Sequence, residues 1–314
     1  MKSIRIALIG AQHDYAHGLL PLIAQQLGYR ISWTNSATAD LLIYGAFFKP
    51  QFKPYRWLPK LLRPLALATE EKLRLRMQKP ISLFHTCESL RHDMIETDYA
   101  ISFDLGVQSH THLRLPYWME LVDWSHEGIV GNANPRFGKL LSLQKMQMPL
   151  GNAFLARAQK ATLITSHLLE PRKMLYEAVN QAVGVSGFGP YFDRSIKNHH
   201  QSPFSKADVL QQFAFNLCPE NQLYPGYYTE KIPESFLSGA LPLTWVDANV
   251  CADFNPKAFI NLEPMAWQNF EPLQSLLTSR QYLGSFCDQA LLIKQPRLDE
   301  AKIFIQNILE EATS

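Results

Sequence analysis

Short apolar runs recur along the chain, separated by stretches of helical periodicity. That alternation predicts strands buried on both faces and crossed by helices. Ile4–Ile9 reads as the first strand, and LLPLIAQQLG, residues 19–28, as an amphipathic helix closed by Gly28. Arg30–Trp33, Leu41–Tyr44, Ile81–Phe84 and Tyr99–Phe103 follow as strands of one sheet. The alternation restarts near residue 160, with strands predicted at Ala161–Ile164, Ala182–Val185, Phe213–Cys218 and Leu241–Trp245. Helices are predicted over Arg172–Ala182 and Glu230–Leu237, the second with Gly239 just past its end. The closing stretch Arg297–Glu311 puts Ala301, Ile303, Phe304, Ile308 and Leu309 on an apolar face and is expected to pack back on the N-terminal domain. The predicted fold is α/β, two Rossmann-like domains facing across a cleft, with ligands at the carboxyl ends of the strands. The domains are expected at 1–150 and 151–314, because NANPRFGK and MPLGN carry linker-like Pro and Gly near that point.

Composition narrows the function classes. The chain has 314 residues, 46% hydrophobic and 18% charged, enough for two domains with full cores. A net charge of +2 gives no case for nucleic acid. No apolar run reaches the roughly 18 residues a membrane helix needs. The start, MKSIRIALIGAQHD, reads as a strand rather than an export signal, and Cys87, Cys218, Cys251 and Cys287 lack metal-like spacing. A reduced, cytoplasmic setting is therefore expected. Residues 49–79 hold nine Lys or Arg and two acidic residues, interleaved with Trp57 and several leucines. Two readings stand for this segment: a peripheral contact with an anionic membrane face, or an exposed helical pair with a solvated basic side.

Candidate chemistry concentrates in Phe213–Trp245. A buried strand leads to a loop with Pro219, Pro225 and Gly226, then to a helix whose first turn carries Thr229, Glu230 and Lys231. A helix start with an added lysine suits a phosphate, and Asn221, Tyr227 and Glu230 can meet sugar hydroxyls. On these residues alone, an ordinary βαβ unit with a solvated Glu–Lys pair is the favoured reading.

A longer pattern bears on that choice. FNLCPEN (215–221), then TEK (229–231), SGALPLTW (238–245) and DFNPKAFIN (253–261) together resemble the family 10 glycosyltransferases, the α-1,3/4-fucosyltransferases. FHTCES (84–89), DYAISFD (98–104), RLPYW (114–118) and ITSHLLEPR (164–172) are similar to further segments of that family. The likeness spans roughly residues 80–270, and the first 75 match only in strand–helix pattern. It implies a GT-B type fold of the soluble bacterial kind, with the acceptor bound by the N-terminal domain and GDP-fucose by the C-terminal one. It implies an inverting transfer of fucose to an acceptor glycan, expected as α-1,3 to GlcNAc or a related sugar in surface-polysaccharide synthesis.

The resemblance also assigns roles. Glu88 matches the family's catalytic carboxylate, although Cys87 and Ser89 replace the usual Gly and Asn beside it. Arg172 and Lys231 would neutralise the diphosphate, while Asn221, Tyr227 and Glu230 would orient the donor. No cofactor or metal is expected, since the Asp-x-Asp motif that holds a divalent ion under a diphosphate is absent. His13 and Asp14, after the first strand, read as acceptor contacts or as polar capping residues, with His17 adding a weaker metal-pair option. Tyr117 and Trp118, with Trp124, read as stacking platforms for acceptor rings or as core. Two other functions stay open: the same scaffold with another nucleotide sugar, or a catalytically silent glycan- or sugar-nucleotide-binding protein.

Overall fold

The computed structural model describes residues 2–12, 14–48, 80–134, 136–196, 205–264 and 271–314. The basic segment 49–79 and His13 lie outside them. By contacts the chain divides into two compact units, Met1–Leu115 with Trp124–Ala133 and Arg297–Ser314, and Pro116–Asp123 with Asn134–Pro296.

In the first unit, β1 (Lys2–Ile9), β2 (Tyr29–Trp33), β3 (Leu41–Gly45), β4 (Ile81–His85), β5 (Tyr99–Ser102) and β6 (His112–Arg114) form one sheet in the order β2-β1-β3-β4-β5-β6. Every pairing is parallel. The central strands are apolar on both faces: Ile4, Ile6, Leu42, Ile43, Phe84 and Ile101 are buried. The helix Leu19–Gln26 buries Leu19, Leu20, Ile23 and Ala24. The chain moves from β1 outward to β2, then returns past β1 to β3, so the switch point lies at the carboxyl ends of β1 and β3. Strand β6 escapes a pattern search because it is three residues long and carries His112 and Arg114 around one buried leucine.

The C-terminal helix Asp299–Ala312 belongs to this unit and contacts Leu19–Gln26, β4 and β6. Its buried face is Ala301, Phe304, Ile305, Ile308 and Leu309. Ile303, assigned to that face from the sequence, is 61% exposed, because Ile305 lies on the correct side of the turn.

In the second unit, β7 (Ala158–Ile164), β8 (Val185–Phe188), β9 (Phe213–Leu217), β10 (Leu241–Thr244) and β11 (Ile260–Asn261) form a parallel sheet in the order β11-β10-β9-β7-β8. Leu163, Leu175, Val179, Phe215, Leu241 and Leu243 form its core. The strand expected at Ala182–Val185 begins later. The preceding helix runs to Val183, and Gly184 ends it at φ 80°, a conformation that glycine adopts without penalty. The stretch 134–150 joins this unit rather than the first. Leu292 N donates to Met146 O, Leu150 N to Gln289 O, and Val122 bridges Leu141. Linker-like composition at 135–152 therefore marks loops inside the second unit, and its edge falls near residue 134 instead of 150.

Candidate functional site

The second sheet switches direction between β7 and β9, and the polar side chains that follow those two strands meet there. Thr165 follows β7, and Arg172 opens the next helix, Arg172–Val183. Arg172 Nη1 donates to Thr165 Oγ1 at 2.9 Å and to His167 O at 3.1 Å; Nη2 donates to Asn221 Oδ1 at 2.7 Å. Asn221 follows β9, and its Oδ1 also accepts from Lys231 Nζ at 3.2 Å. One amide oxygen thus holds a guanidinium and an ammonium side by side, from segments 49 and 10 residues away.

A second layer fixes Lys231. Glu220 is buried at 2% exposure and accepts from Thr229 N at 2.7 Å, from Thr229 Oγ1 at 2.9 Å and from Lys231 Nζ at 2.9 Å. Two cations against this single carboxylate leave one positive charge in excess, facing an exposed Asn221. Burial pulls the Arg172 pKa down, while Glu220 and Tyr227 pull it back up. His167 beside it is held below the usual histidine range, first by burial and then by Arg172 and Lys231. The helix Lys231–Leu237 is only two turns long, so the side-chain cations rather than the helix end supply the charge.

Of the residues expected to meet the donor, the structure gathers Arg172, Asn221 and Lys231 at one point. Tyr227 joins them differently: its ring is buried and only the hydroxyl meets Asn221 Nδ2, at 3.4 Å. Glu230 differs more. Its carboxylate is buried beside Lys206, at 3.9 Å, and Lys206 also pairs with Glu234. Burial favours the neutral acid, yet Lys206 and Arg136 hold Glu230 below the usual carboxylate range. Glu234, buried deepest, is pushed up to about 7. Burial alone would pull Lys206 down, but Glu234 and Glu230 hold it above its ordinary value. Glu230 is thus a member of a buried ion cluster, not a free hydroxyl acceptor.

Sequence reading passed over Glu220 and Lys206. Glu220 stands inside FNLCPEN, next to Asn221, and that adjacency was the available signal. Glu230 and Glu234, four apart on one helical turn, required a cation, but Lys206 is 28 residues from Glu234.

Tyr117 and Trp118 correct the acceptor expectation. Both are buried. Trp118 Nε1 donates to Asp253 Oδ2 at 3.0 Å and its ring packs on Phe254, while Tyr117 lies under Arg136. Trp124 is buried as well. Rings packed in this way offer no face to a sugar.

In the first unit, Glu88 sits on the connection after β4, half-buried. Its N–H donates to Thr86 Oγ1 at 3.2 Å, and Thr86 Oγ1 donates to Glu88 O at 3.0 Å. The connection after β1 meets the same place: Gln12 Nε2 contacts Cys87 Sγ at 2.6 Å, and Tyr15 OH lies 2.6 Å from His85 Nδ1. Asp14 precedes the short turn Tyr15–His17 without capping it through its side chain.

Residues 155–285 match the profile of glycosyltransferase family 10 (fucosyltransferase), C-terminal part, a span that contains Arg172, Asn221 and Lys231. The matched span lies wholly within the second unit. The chain is 27% identical over 247 residues to the α-(1,3)-fucosyltransferase FucT of Helicobacter pylori, a match over 72% of this chain and 50% of that protein. The match therefore spans only half the length of that relative. Over 99% of its length the chain superposes on solved α1,3-fucosyltransferase structures at 21–22% identity. The structure with GDP-fucose gives a TM-score of 0.65 over 91% of its chain, a second α1,3-fucosyltransferase structure 0.66 and the structure with GDP 0.63, each of these two over 89%. These likenesses establish the fold as mixed α/β with two parallel sheets. Among the described residues, no helix is long and apolar enough to cross a membrane.

Proposed function

We propose that this chain is an inverting α-1,3-fucosyltransferase that moves L-fucose from GDP-fucose to a hydroxyl of an acceptor glycan. The observation that carries the reading is the meeting of Arg172 and Lys231 on Asn221 at the switch point of the family 10 domain. The acceptor oxygen forms its bond to the anomeric carbon as the bond from that carbon to the β-phosphate oxygen breaks. Glu88 takes the acceptor proton, and GDP leaves as an anion. Arg172 offers a planar fork and Lys231 a point charge to the departing diphosphate, work that removal of either is expected to expose as a roughly hundredfold loss of turnover. In this reading the diphosphate is neutralised by side chains and needs no divalent ion.

The acceptor is proposed to be GlcNAc or a related sugar of a surface polysaccharide such as lipopolysaccharide, made on the cytoplasmic side. The basic, amphipathic composition of 49–79 supports peripheral contact with a lipid-linked acceptor at the inner membrane. Co-sedimentation with anionic vesicles at low salt tests that contact, and a protein left in the supernatant refutes it.

Release of GDP from GDP-fucose in the presence of galactose–N-acetylglucosamine acceptors tests the reaction, with Glu88→Gln as the control that binds donor without turning it over. Cys87 and Ser89 beside Glu88 favour one rival, a silent binder, which would hold GDP-fucose and release no GDP with any acceptor. Tighter binding of GDP-mannose or a uridine sugar would instead point to another donor.

A further inference from the structure

Away from the donor residues, three side chains of the first unit converge around one point. His92 lies on the connection between β4 and β5, Asp104 two residues past β5, and His112 at the start of β6. Each offers one ligand atom, and these atoms all lie within 4.8 Å of one another. The arrangement is held from outside. Asp104 Oδ2 accepts from His92 N at 2.8 Å and from Ser102 Oγ at 2.6 Å, and Ser102 Oγ lies 2.8 Å from His112 Nε2. The carboxylate is 2% exposed, the imidazole rings are 5.0 Å apart, and His92 Nδ1 is buried 3.3 Å from Asp104 Oδ2 without hydrogen-bond geometry.

We infer that His92, Asp104 and His112 form a binding site for a divalent transition-metal ion, with Zn2+ as the best match. Two imidazoles and one carboxylate are the donor set that zinc takes, with water available for the fourth position. Tetrahedral zinc places its ligand atoms roughly 3.4 Å apart, so small rotations of the two imidazoles close the set. Ser102, bonded to both Asp104 and His112, acts as the outer partner that orients first-layer ligands. The role is structural. His92 stands four residues after Glu88 on the same connection, and a bound ion ties that connection to the ends of β5 and β6. This site is separate from the diphosphate residues and does not depend on the proposed reaction.

Untagged protein stripped with chelator and dialysed against Zn2+ tests the inference by metal analysis and thermal unfolding. The expected result is about one Zn2+ per chain, at least tenfold weaker binding in His92→Ala and in His112→Ala, and a zinc-dependent rise in the unfolding midpoint that both variants lose. Circular dichroism of the zinc-free variants establishes that they fold, and Asp104→Asn gives a third, nearly isosteric variant. Co2+ in place of Zn2+ should give visible d–d bands without the intense near-ultraviolet absorption of a thiolate ligand. Absence of binding to the wild-type protein, undiminished binding by all three variants, or a thiolate band pointing to Cys87 or another cysteine would overturn the assignment.

Discussion

Asn221 is the hinge of the proposed donor site because one neutral oxygen accepts from two cations. A carboxylate in its place would hold Arg172 and Lys231 more tightly while cancelling the charge they present. Asn221→Asp is therefore expected to leave the unfolding midpoint intact and to weaken GDP-fucose binding by at least tenfold, measured by calorimetry. His167 adds a signed pH effect. Its pKa is lowered on folding, so its contribution to stability is fully present above the unfolded value near 6.5. That contribution is lost as the pH falls from 6.5 through the depressed folded value. Urea unfolding at pH 7.5 and 5 should show the wild type losing more stability on acidification than His167→Gln, by a small margin because the ring is solvent-exposed. Arg172, Asn221 and Lys231 drew attention through their motifs, Asn221 in the loop after β9 and the other two each at the start of the helix that follows a strand. Glu230 was misread for a physical reason: local sequence names the carboxylate but not the lysine, 24 positions earlier, that folding brings against it. Trp118 was open in the same way, since an aromatic ring suits a core as well as a sugar until its neighbours are known.

Among the elements, the strands around each switch point were easiest to read, because parallel strands covered on both faces leave unbroken apolar runs. Short or polar strands carried no such run, which is why β6 and β11 were missed. Close approach between elements is invisible to periodicity altogether. At the carboxyl end of β3, a Cβ added to Gly45 would lie 2.4 Å from Ala11 Cα and 2.5 Å from Gly10 O, both backbone atoms that follow β1. Gly45→Ala should cost about 3 kcal/mol or more of stability, since backbone has to move to admit the methyl group. Chemical denaturation measures it, and an unchanged midpoint would mean that the two loops do not meet this closely. Because the connections after β1 and β4 also touch through Gln12 and Cys87, the same substitution disturbs the ground on which Glu88 stands.

At the scale of the molecule, the two units could be expected from the alternation of strands and helices, but the boundary could not be placed by composition. Pro and Gly in such a stretch mark loops wherever they occur, and the pairings of 146–151 with 287–292 assign this stretch to the second unit. The apolar face of the C-terminal helix indicated that it packs on a core, and its contacts assign it to the first unit. Ile308→Ala, at a buried position of that helix, is expected to remove about 3 kcal/mol from the first unit and to leave the second unit's hydrogen-exchange protection unchanged. Protection lost in both units would contradict the assignment of the helix. The central claim, that Arg172, Asn221 and Lys231 form the seat of a guanosine diphosphate sugar, is tested most directly by titrating GDP-fucose into the wild-type protein and Lys231→Ala in a calorimeter. Saturable binding of GDP-fucose by the wild type, reduced at least tenfold in the variant, is the predicted result; absence of binding, or equal affinity in the two proteins, would contradict it.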